Sequence, residues 1–112
     1  MKKTPDRESV LMSLKEVEGE LRALGLWADE SARPDEKAFL STIPFCLDTM
    51  GFHEWLQFIF IPKMTELLNN GGSLPDNVLI HTVAEEVYRG KWNRFKKLIF
   101  SLRKLDGLFN IQ

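Results

Sequence analysis

The chain has 112 residues, of which 44% are hydrophobic and 28% are charged, with a formal net charge of −1. This length and composition predict one soluble domain over residues 1–112, with a core large enough to fold without disulfides or structural metal ions. They exclude a disordered chain. The single cysteine excludes an internal disulfide and a multi-cysteine zinc site.

The amino terminus is charged and has no apolar stretch behind it, so no secretory signal is predicted. The longest apolar run, FIFI at residues 58–61, is far shorter than the ~20 residues that a membrane span requires. We therefore expect a cytoplasmic protein with no membrane association.

The first predicted helix covers residues 5–25. Thr4 is its expected N-cap, Pro5 its first helical residue and Gly25 its C-terminal cap. Apolar residues recur at steps of three and four, which predicts one buried stripe. The stripe consists of Val10, Leu11, Leu14, Val17, Leu21 and Leu24.

Residues 28–50 contain two prolines and no long period, which predicts a connection with a short helical turn over residues 34–40. A connection of this length is usually functional or held against the core. Its larger apolar side chains favour the second alternative. They are Phe39, Ile43, Phe45 and Leu47.

The second predicted helix covers residues 51–70. Asp48 or Thr49 is expected to supply its capping oxygen, and Trp55 to anchor it in the core. Pro62 has no N–H to donate to the carbonyl four residues back, so a bend is expected near Phe58.

Two further helices are predicted over residues 77–89 and 91–107. The expected buried side of the third is Ile80, Val83, Ala84, Val87 and Tyr88. The fourth has the clearest apolar stripe of the chain: Trp92, Phe95, Leu98, Ile99, Leu102 and Leu105. No window alternates as a strand does. The sequence therefore predicts an all-α, antiparallel four-helix bundle with a long connection between helices one and two and a bent second helix.

His53 and Glu54 begin a zinc-protease pattern, H-E-x-x-H, but Gln57 occupies the position of the second histidine. Because that imidazole completes the metal pair, a zinc site is not expected. Glu54 is better explained as a first-turn carboxylate that the helix dipole favours. The sequence also lacks the glycine patterns of phosphate-binding loops, and we expect no cofactor.

Cys46, Asp48 and His53 lie close in sequence and could form a nucleophile with its base. With Glu54 they define one alternative, a small enzyme or ligand-binding site. A lone cysteine between Phe45 and Leu47 is more often a small buried side chain, so packing is the favoured interpretation.

Charge is distributed unevenly. Residues 1–88 hold eight Lys/Arg and fifteen Asp/Glu, whereas residues 89–112 hold seven and one. Six cations share the polar face of the fourth helix: Arg89, Arg94, Lys96, Lys97, Arg103 and Lys104. They predict either weak, salt-dependent RNA binding or a solvated face that neutralises acidic neighbours. Because Trp92 and Phe95 are expected to face the core, no exposed aromatic platform is predicted and the solvated face is favoured.

The segment STIPFCLDTMGFHEWLQFIFIPKMTELL, residues 41–68, resembles the YqcC-like family of small bacterial proteins. It matches the pattern S-T-x-P-F, D-T-M, E-W-L-Q and I-P-x-M, and KLDGLF at residues 104–109 is similar to the closing K-L-D-x-L-F. The resemblance implies a helical bundle. Because members are often encoded beside a tRNA pseudouridine synthase, it also implies a non-enzymatic accessory role with that enzyme as partner.

The motif in residues 41–64, which we name the central pattern, allows two interpretations. In the first, which is favoured, its members cap the second helix, fill the core and set the bend. In the second, the long connection folds over that helix and leaves an aromatic pocket with convergent polar groups, the usual form of a ligand or partner site. The residues of that expected pocket are Asp48, Glu54, Trp55 and Gln57.

Overall fold

The computed structural model describes residues 6–75 and 78–109, and in these ranges the chain is an all-α bundle without strands. Four helical segments form it. They are α1 (Arg7–Ala23), a continuous segment made of α2 (Phe52–Trp55), a π-helical turn (Leu56–Phe60) and α3 (Ile61–Asn70), then α4 (Ile80–Val87) and α5 (Trp92–Phe109). Short 3₁₀ turns at Glu30–Ala32, Glu36–Leu40 and Pro44–Cys46 interrupt the long connection. No described helix is both long and apolar enough to cross a bilayer.

Helix α5 is the centre of the bundle, because it packs against both α1 and α4, while α1 also contacts α3. The predicted stripes of α1 and α5 supply nearly half of the buried core residues. Val10, Leu14, Val17 and Leu21 of α1 are at most 2% exposed, and Phe95, Leu98, Ile99, Leu102 and Leu105 of α5 are also buried. The expected four-helix architecture is therefore confirmed.

Both ends of α1 are closed locally. Asp6 is the N-cap, and its carboxylate accepts a hydrogen bond from the Ser9 N–H. The residues expected in this role, Thr4 and Pro5, lie outside the described ranges. At the other end Gly25 has φ +73°, which only glycine adopts without cost, and its N–H donates to the Arg22 carbonyl. The prediction of Gly25 as the terminating residue is confirmed.

The start of α2 differs from the prediction. Its N-cap is Gly51, whose N–H donates to Glu54 Oε1 over 2.8 Å, so neither Asp48 nor Thr49 caps it. The confirmed part is Glu54, which lies in the first turn. Near the expected bend, the helix widens into the π turn, where the Ile61 N–H donates to the Leu56 carbonyl five residues back. The wider turn accommodates Pro62, which has no N–H of its own.

Four side chains that were expected in the core are instead about half exposed: Ile43 (48%), Leu47 (44%), Val87 (40%) and Trp92 (48%). Val87 lies on the flank of α4, because Ala84 and Tyr88 occupy the face toward the bundle. Trp92 is the first residue of α5, and its ring lies along the helix surface against Phe100. In the central connection, Phe45 packs against the core and Cys46 and Met50 are buried.

Two charged side chains cap the ends of helices other than those in which they lie. The Arg7 guanidinium donates to the carbonyls of Leu67 and Gly72 at the carboxyl end of α3. Asp106, which is 2% exposed, accepts from the His81 N–H over 2.7 Å at the amino end of α4 and from His81 Nδ1 over 2.6 Å. Each charge has the sign that the helix dipole favours at that end.

Candidate interaction surfaces

The polar residues of the central pattern mostly hold the connection in place. The Ser41 hydroxyl donates to Asp48 Oδ1 over 2.5 Å and accepts from the Ile43 N–H over 3.1 Å. The Thr49 hydroxyl donates to the Ala38 carbonyl over 2.7 Å. Asp48 is therefore part of a loop-stabilising network.

Gln57 performs a similar task from the second helical segment. Its side chain is 7% exposed, accepts from the Ala28 N–H over 2.9 Å and donates to the Ala28 carbonyl over 2.7 Å. This pairs both backbone groups of one residue in the loop that follows α1. Because a buried amide must be satisfied, the interaction explains why a glutamine occupies this position.

The four residues of the expected pocket are not brought together. Trp55 packs in an aromatic cluster, whereas Gln57 lines cavities on the side of Trp27 and Pro62. Glu54 is engaged at Gly51 and Asp48 at Ser41. Among these four, only Trp55 lines the cavity that is bordered by Phe45 and Phe60.

The aromatic cluster is built around Phe45. Its ring centroid lies 4.8 Å from that of Trp55 and 6.2 Å from that of Phe52, and Trp55 stacks on Phe60 at 5.3 Å. Phe45 has φ +60° and Cys46 has φ +50°. A left-handed conformation costs a residue with a side chain about 1–2 kcal/mol, and burial of the Phe45 ring offsets this cost. The strained turn orients its neighbours Ile43 and Leu47 toward solvent.

Two open apolar cavities of about 500 and 510 Å³ border Phe45. The first is lined mainly by Trp55, Phe60, Met64, Leu74, Leu79 and Ile80. We name the second the α4 groove. It lies between the connection and α4 and is lined by Ile43, Pro44, Phe45, Leu47, Thr82, Val83, Glu86 and Val87. The α4 groove therefore contains three of the four unexpectedly exposed apolar side chains.

The residues considered for catalysis do not form a reactive group in the described ranges. The Cys46 thiol is 7% exposed, and no hydrogen bond there joins it to His53. In the same part of the chain, no set of three or more His, Cys, Asp or Glu side chains is placed to hold a metal ion. The second histidine, His81, is engaged by Asp106.

All six cations that were singled out on and before α5 are exposed. Arg89 pairs with Glu86, Lys104 pairs with Glu16 on α1 over 2.8 Å, and Arg94 donates to the Leu24 carbonyl over 3.4 Å. The other three are Lys96, Lys97 and Arg103, and within residues 6–75 and 78–109 no carboxylate lies within 4.0 Å of their nitrogen atoms.

The sequence prediction missed an exposed aromatic pair on the same face. Trp92 and Phe100 are each 48% exposed, and their ring centroids lie 5.4 Å apart at an interplanar angle of 87°. Phe100 falls outside the predicted apolar stripe, which was a usable indication that it faces solvent. Trp92 could not be recognised in this way, because it continues the stripe in sequence.

Tyr88 joins the aromatic cluster to α5. Its ring stacks on Phe95 at 3.8 Å and meets Phe52 edge to face at 6.1 Å. Burial raises the pKa of its hydroxyl from 10.0 to about 12, and the Arg94 charge opposes this shift. The hydroxyl oxygen is buried without a hydrogen-bond partner among the described residues. Tyr88 therefore acts as a packing residue.

Comparison with known proteins identifies relatives that span this fold. A family model described as "tRNA pseudouridine synthase C" matches residues 9–108. An uncharacterised protein of Haemophilus influenzae is 36% identical over 104 residues, covering 93% of this chain and 95% of its own. Protein YqcC of Escherichia coli is 35% identical over 106 residues, covering 95% and 94%.

One relative is much longer. A protein of Pectobacterium carotovorum named tRNA pseudouridine synthase C is 38% identical over 85 residues, which are 76% of this chain but 22% of that protein. Among solved structures, the solution NMR structure of YqcC from Escherichia coli superposes with a TM-score of 0.80 at 33% identity, covering 92% of this chain and 86% of that one. The similarity therefore extends from sequence to fold.

Proposed function

This chain belongs to the YqcC-like family, and from that membership we propose that it is a non-enzymatic accessory protein that binds a tRNA pseudouridine synthase. The proposal locates the protein in the cytoplasm, together with tRNA. It assigns the chain a contact role, with pseudouridine formation carried out by the partner.

The observation that carries the proposal is the longer relative. There, a region similar to this chain forms about a fifth of a polypeptide named tRNA pseudouridine synthase C. A covalent link keeps two modules at a high effective concentration, so a weak contact between them suffices. Where two such modules are not linked covalently, a surface must supply the affinity.

The α4 groove is the surface that we assign to this contact. Ile43, Leu47 and Val87 expose between 40% and 48% of their area beside one cavity, and a contiguous apolar patch on a soluble domain often marks a protein interface. The hydrogen bond between Ser41 and Asp48 holds the loop that carries Ile43 and Leu47, which reduces the ordering cost of binding.

The segment that contributes the groove is acidic, and Glu86, the one ionisable residue among the described residues that line the groove, already pairs with Arg89. Residues 28–88, which include the groove, hold three Lys/Arg and ten Asp/Glu, a net charge of −7. An enzyme that binds tRNA needs a positive surface for the phosphates. We therefore expect an apolar anchor with Lys or Arg at its edges to occupy the α4 groove.

The test is isothermal titration of the chain with the tRNA pseudouridine synthase of the same organism. Ile43→Asp and Val87→Asp should each weaken the complex by at least about tenfold, because they introduce a charge into a desolvated contact. Met12→Asp is the matched control, since Met12 is 66% exposed on α1. It should bind as the unmodified chain does.

Enzyme assays complete the test. The chain alone should form no pseudouridine, and its addition should change the rate or the tRNA affinity of the synthase. Absence of a complex at micromolar concentration, or groove variants that bind normally, would show that the proposal is wrong.

A further inference from the structure

The face of α5 that points away from the bundle combines two features that a merely solvated helix does not need together. The first is the pair Trp92 and Phe100, two large rings that each leave 48% of their area in water. The rings meet edge to face. In that arrangement, the ring that offers its edge keeps both of its faces clear of the other ring.

The second feature is positive charge that has few paired carboxylates among the described residues. On α5, every exposed ionisable residue is Lys or Arg, and the acidic residue Asp106 is buried at His81. Glu16 of α1 pairs with Lys104, and Glu20 of α1 lines a cavity together with Lys96 and Lys97. No carboxylate in the described part of the chain lies within 4.0 Å of the side-chain nitrogen atoms of Lys96 or Arg103.

Helical geometry places these groups on one strip. Residues 92, 96, 100 and 103 are separated by four, four and three positions, so each lies about one turn beyond the previous one. The strip therefore alternates aromatic, cation, aromatic and cation over roughly 16 Å, at about 1.5 Å per residue. Successive nucleotides of a single strand offer a base and a phosphate in a similar alternation.

We propose that this strip binds single-stranded RNA, with Trp92 and Phe100 stacking on unpaired bases and Lys96 and Arg103 contacting the adjoining phosphates. Aromatic rings stack on any base, and cations contact any phosphate, so the expected recognition is for unpaired structure with little sequence preference. A duplex would meet the cations only, because its bases are stacked on one another.

The strip shares no lining residue with the α4 groove. This proposal therefore goes beyond the synthase contact, and each can fail while the other stands.

The experiment measures fluorescence anisotropy of a labelled oligouridine of about 12 nucleotides, within the usual site size of single-strand binders. A blunt RNA duplex of the same length is the comparison ligand. The single strand should bind more tightly than the duplex. Trp92→Ala and Phe100→Ala should each weaken single-strand binding by roughly tenfold and leave duplex binding unchanged. Trp92→Phe should retain most of the affinity, because it keeps a stacking ring.

The cations have a different expected effect. Lys96→Gln and Arg103→Gln should weaken both ligands and should each lower the salt dependence of single-strand binding by about 0.7 in log–log slope. Matched controls on α1 are Met12→Ala, which removes an exposed apolar side chain, and Lys15→Gln, which removes an exposed cation. Both should bind as the unmodified chain does.

Three results would overturn the proposal. The first is equal affinity for single strand and duplex, and the second is unchanged single-strand affinity in Trp92→Ala and Phe100→Ala. The third is that these variants weaken the synthase complex and not RNA binding, which would make the strip a protein contact. Thermal melting of every variant verifies folding, and Trp92→Phe keeps the test decisive if an alanine variant unfolds.

Discussion

The central pattern (residues 41–64) and helix α5 differ in how they use their polar side chains. In the central pattern, Ser41, Asp48, Glu54 and Gln57 all bond to neighbouring loops or helix ends. In α5, Asp106 is used in this way, while Lys96, Lys97 and Arg103 extend into solvent. The region with the most distinctive sequence is thus largely explained by its own architecture. The plainer amphipathic helix carries cations that have no carboxylate partner among residues 6–75 and 78–109.

The largest expected effect concerns the buried acid of α5. Asp106→Ala should lower the free energy of unfolding by about 3 kcal/mol, because the His81 N–H and ring lose a buried acceptor. Urea unfolding measures the change. Arg103→Ala on the same helix should stay within about 0.5 kcal/mol. Equal stability of the two variants would mean that the buried Asp106 contributes no more to folding than the exposed Arg103, which would contradict this comparison.

Tyr88 packs between the aromatic cluster and α5, and its ionisation should lower the stability of the fold at alkaline pH. Tyr88 is the single tyrosine, so absorbance at alkaline pH reports its ionisation alone. With a folded pKa of about 12 and an unfolded value near 10.0, the unfolded chain loses this proton first. Stability that is intact below pH 10 should therefore fall between about pH 10 and 12, by on the order of 2–3 kcal/mol.

Tyr88→Phe provides the control for this titration. The variant keeps the ring on Phe95 and removes a hydroxyl that has no described partner. It should be at least as stable at neutral pH and should lack the tyrosine part of the alkaline loss. Half-ionisation of the folded protein near pH 10 would contradict the buried position of this ring.

A smaller effect is expected from the central pattern. Gln57→Ala leaves the N–H and carbonyl of Ala28 without their partners, which should cost about 2 kcal/mol in thermal or urea unfolding. Asn69→Ala, an amide removed from an exposed position of α3, should have no measurable effect. Equal losses of unfolding free energy in the two variants would mean that the hydrogen bonds of Gln57 to Ala28 contribute little to stability.

The smallest effect concerns the loop network. Ser41→Ala removes an exposed hydrogen bond to Asp48 and should cost about 0.5 kcal/mol. Thr42→Ala, at the adjacent exposed position, is the control. The more informative measurement is synthase binding, which should weaken for Ser41→Ala if the network orients Ile43 in the α4 groove. An unchanged affinity would separate the loop network from the proposed docking surface.

Local signals predicted the helices well. Apolar residues at steps of three and four located α1 and α5, and Gly25 marked the end of α1. The predicted cap of the second helix was wrong, since Asp48 and Thr49 bond to residues 41 and 38 instead. Which of several nearby oxygens caps a helix depends on the path of the preceding loop, and that path is a tertiary property.

The candidate surfaces were less predictable. The six cations were identified by charge alone, and all are exposed. The α4 groove and the Trp92–Phe100 pair were not predicted, because apolar side chains in sequence favour burial whether or not a neighbour is present to cover them.

The sequence by itself determined the helical class, the core stripes of α1 and α5 and the basic character of the last helix, because these depend on periodicity and composition along one segment. Only the tertiary structure decided that Asp106 closes α4, that Gln57 holds residue 28, and that Ile43, Val87 and Trp92 remain in contact with water. Each of these depends on the distance between segments remote in sequence, and no local pattern contains that distance.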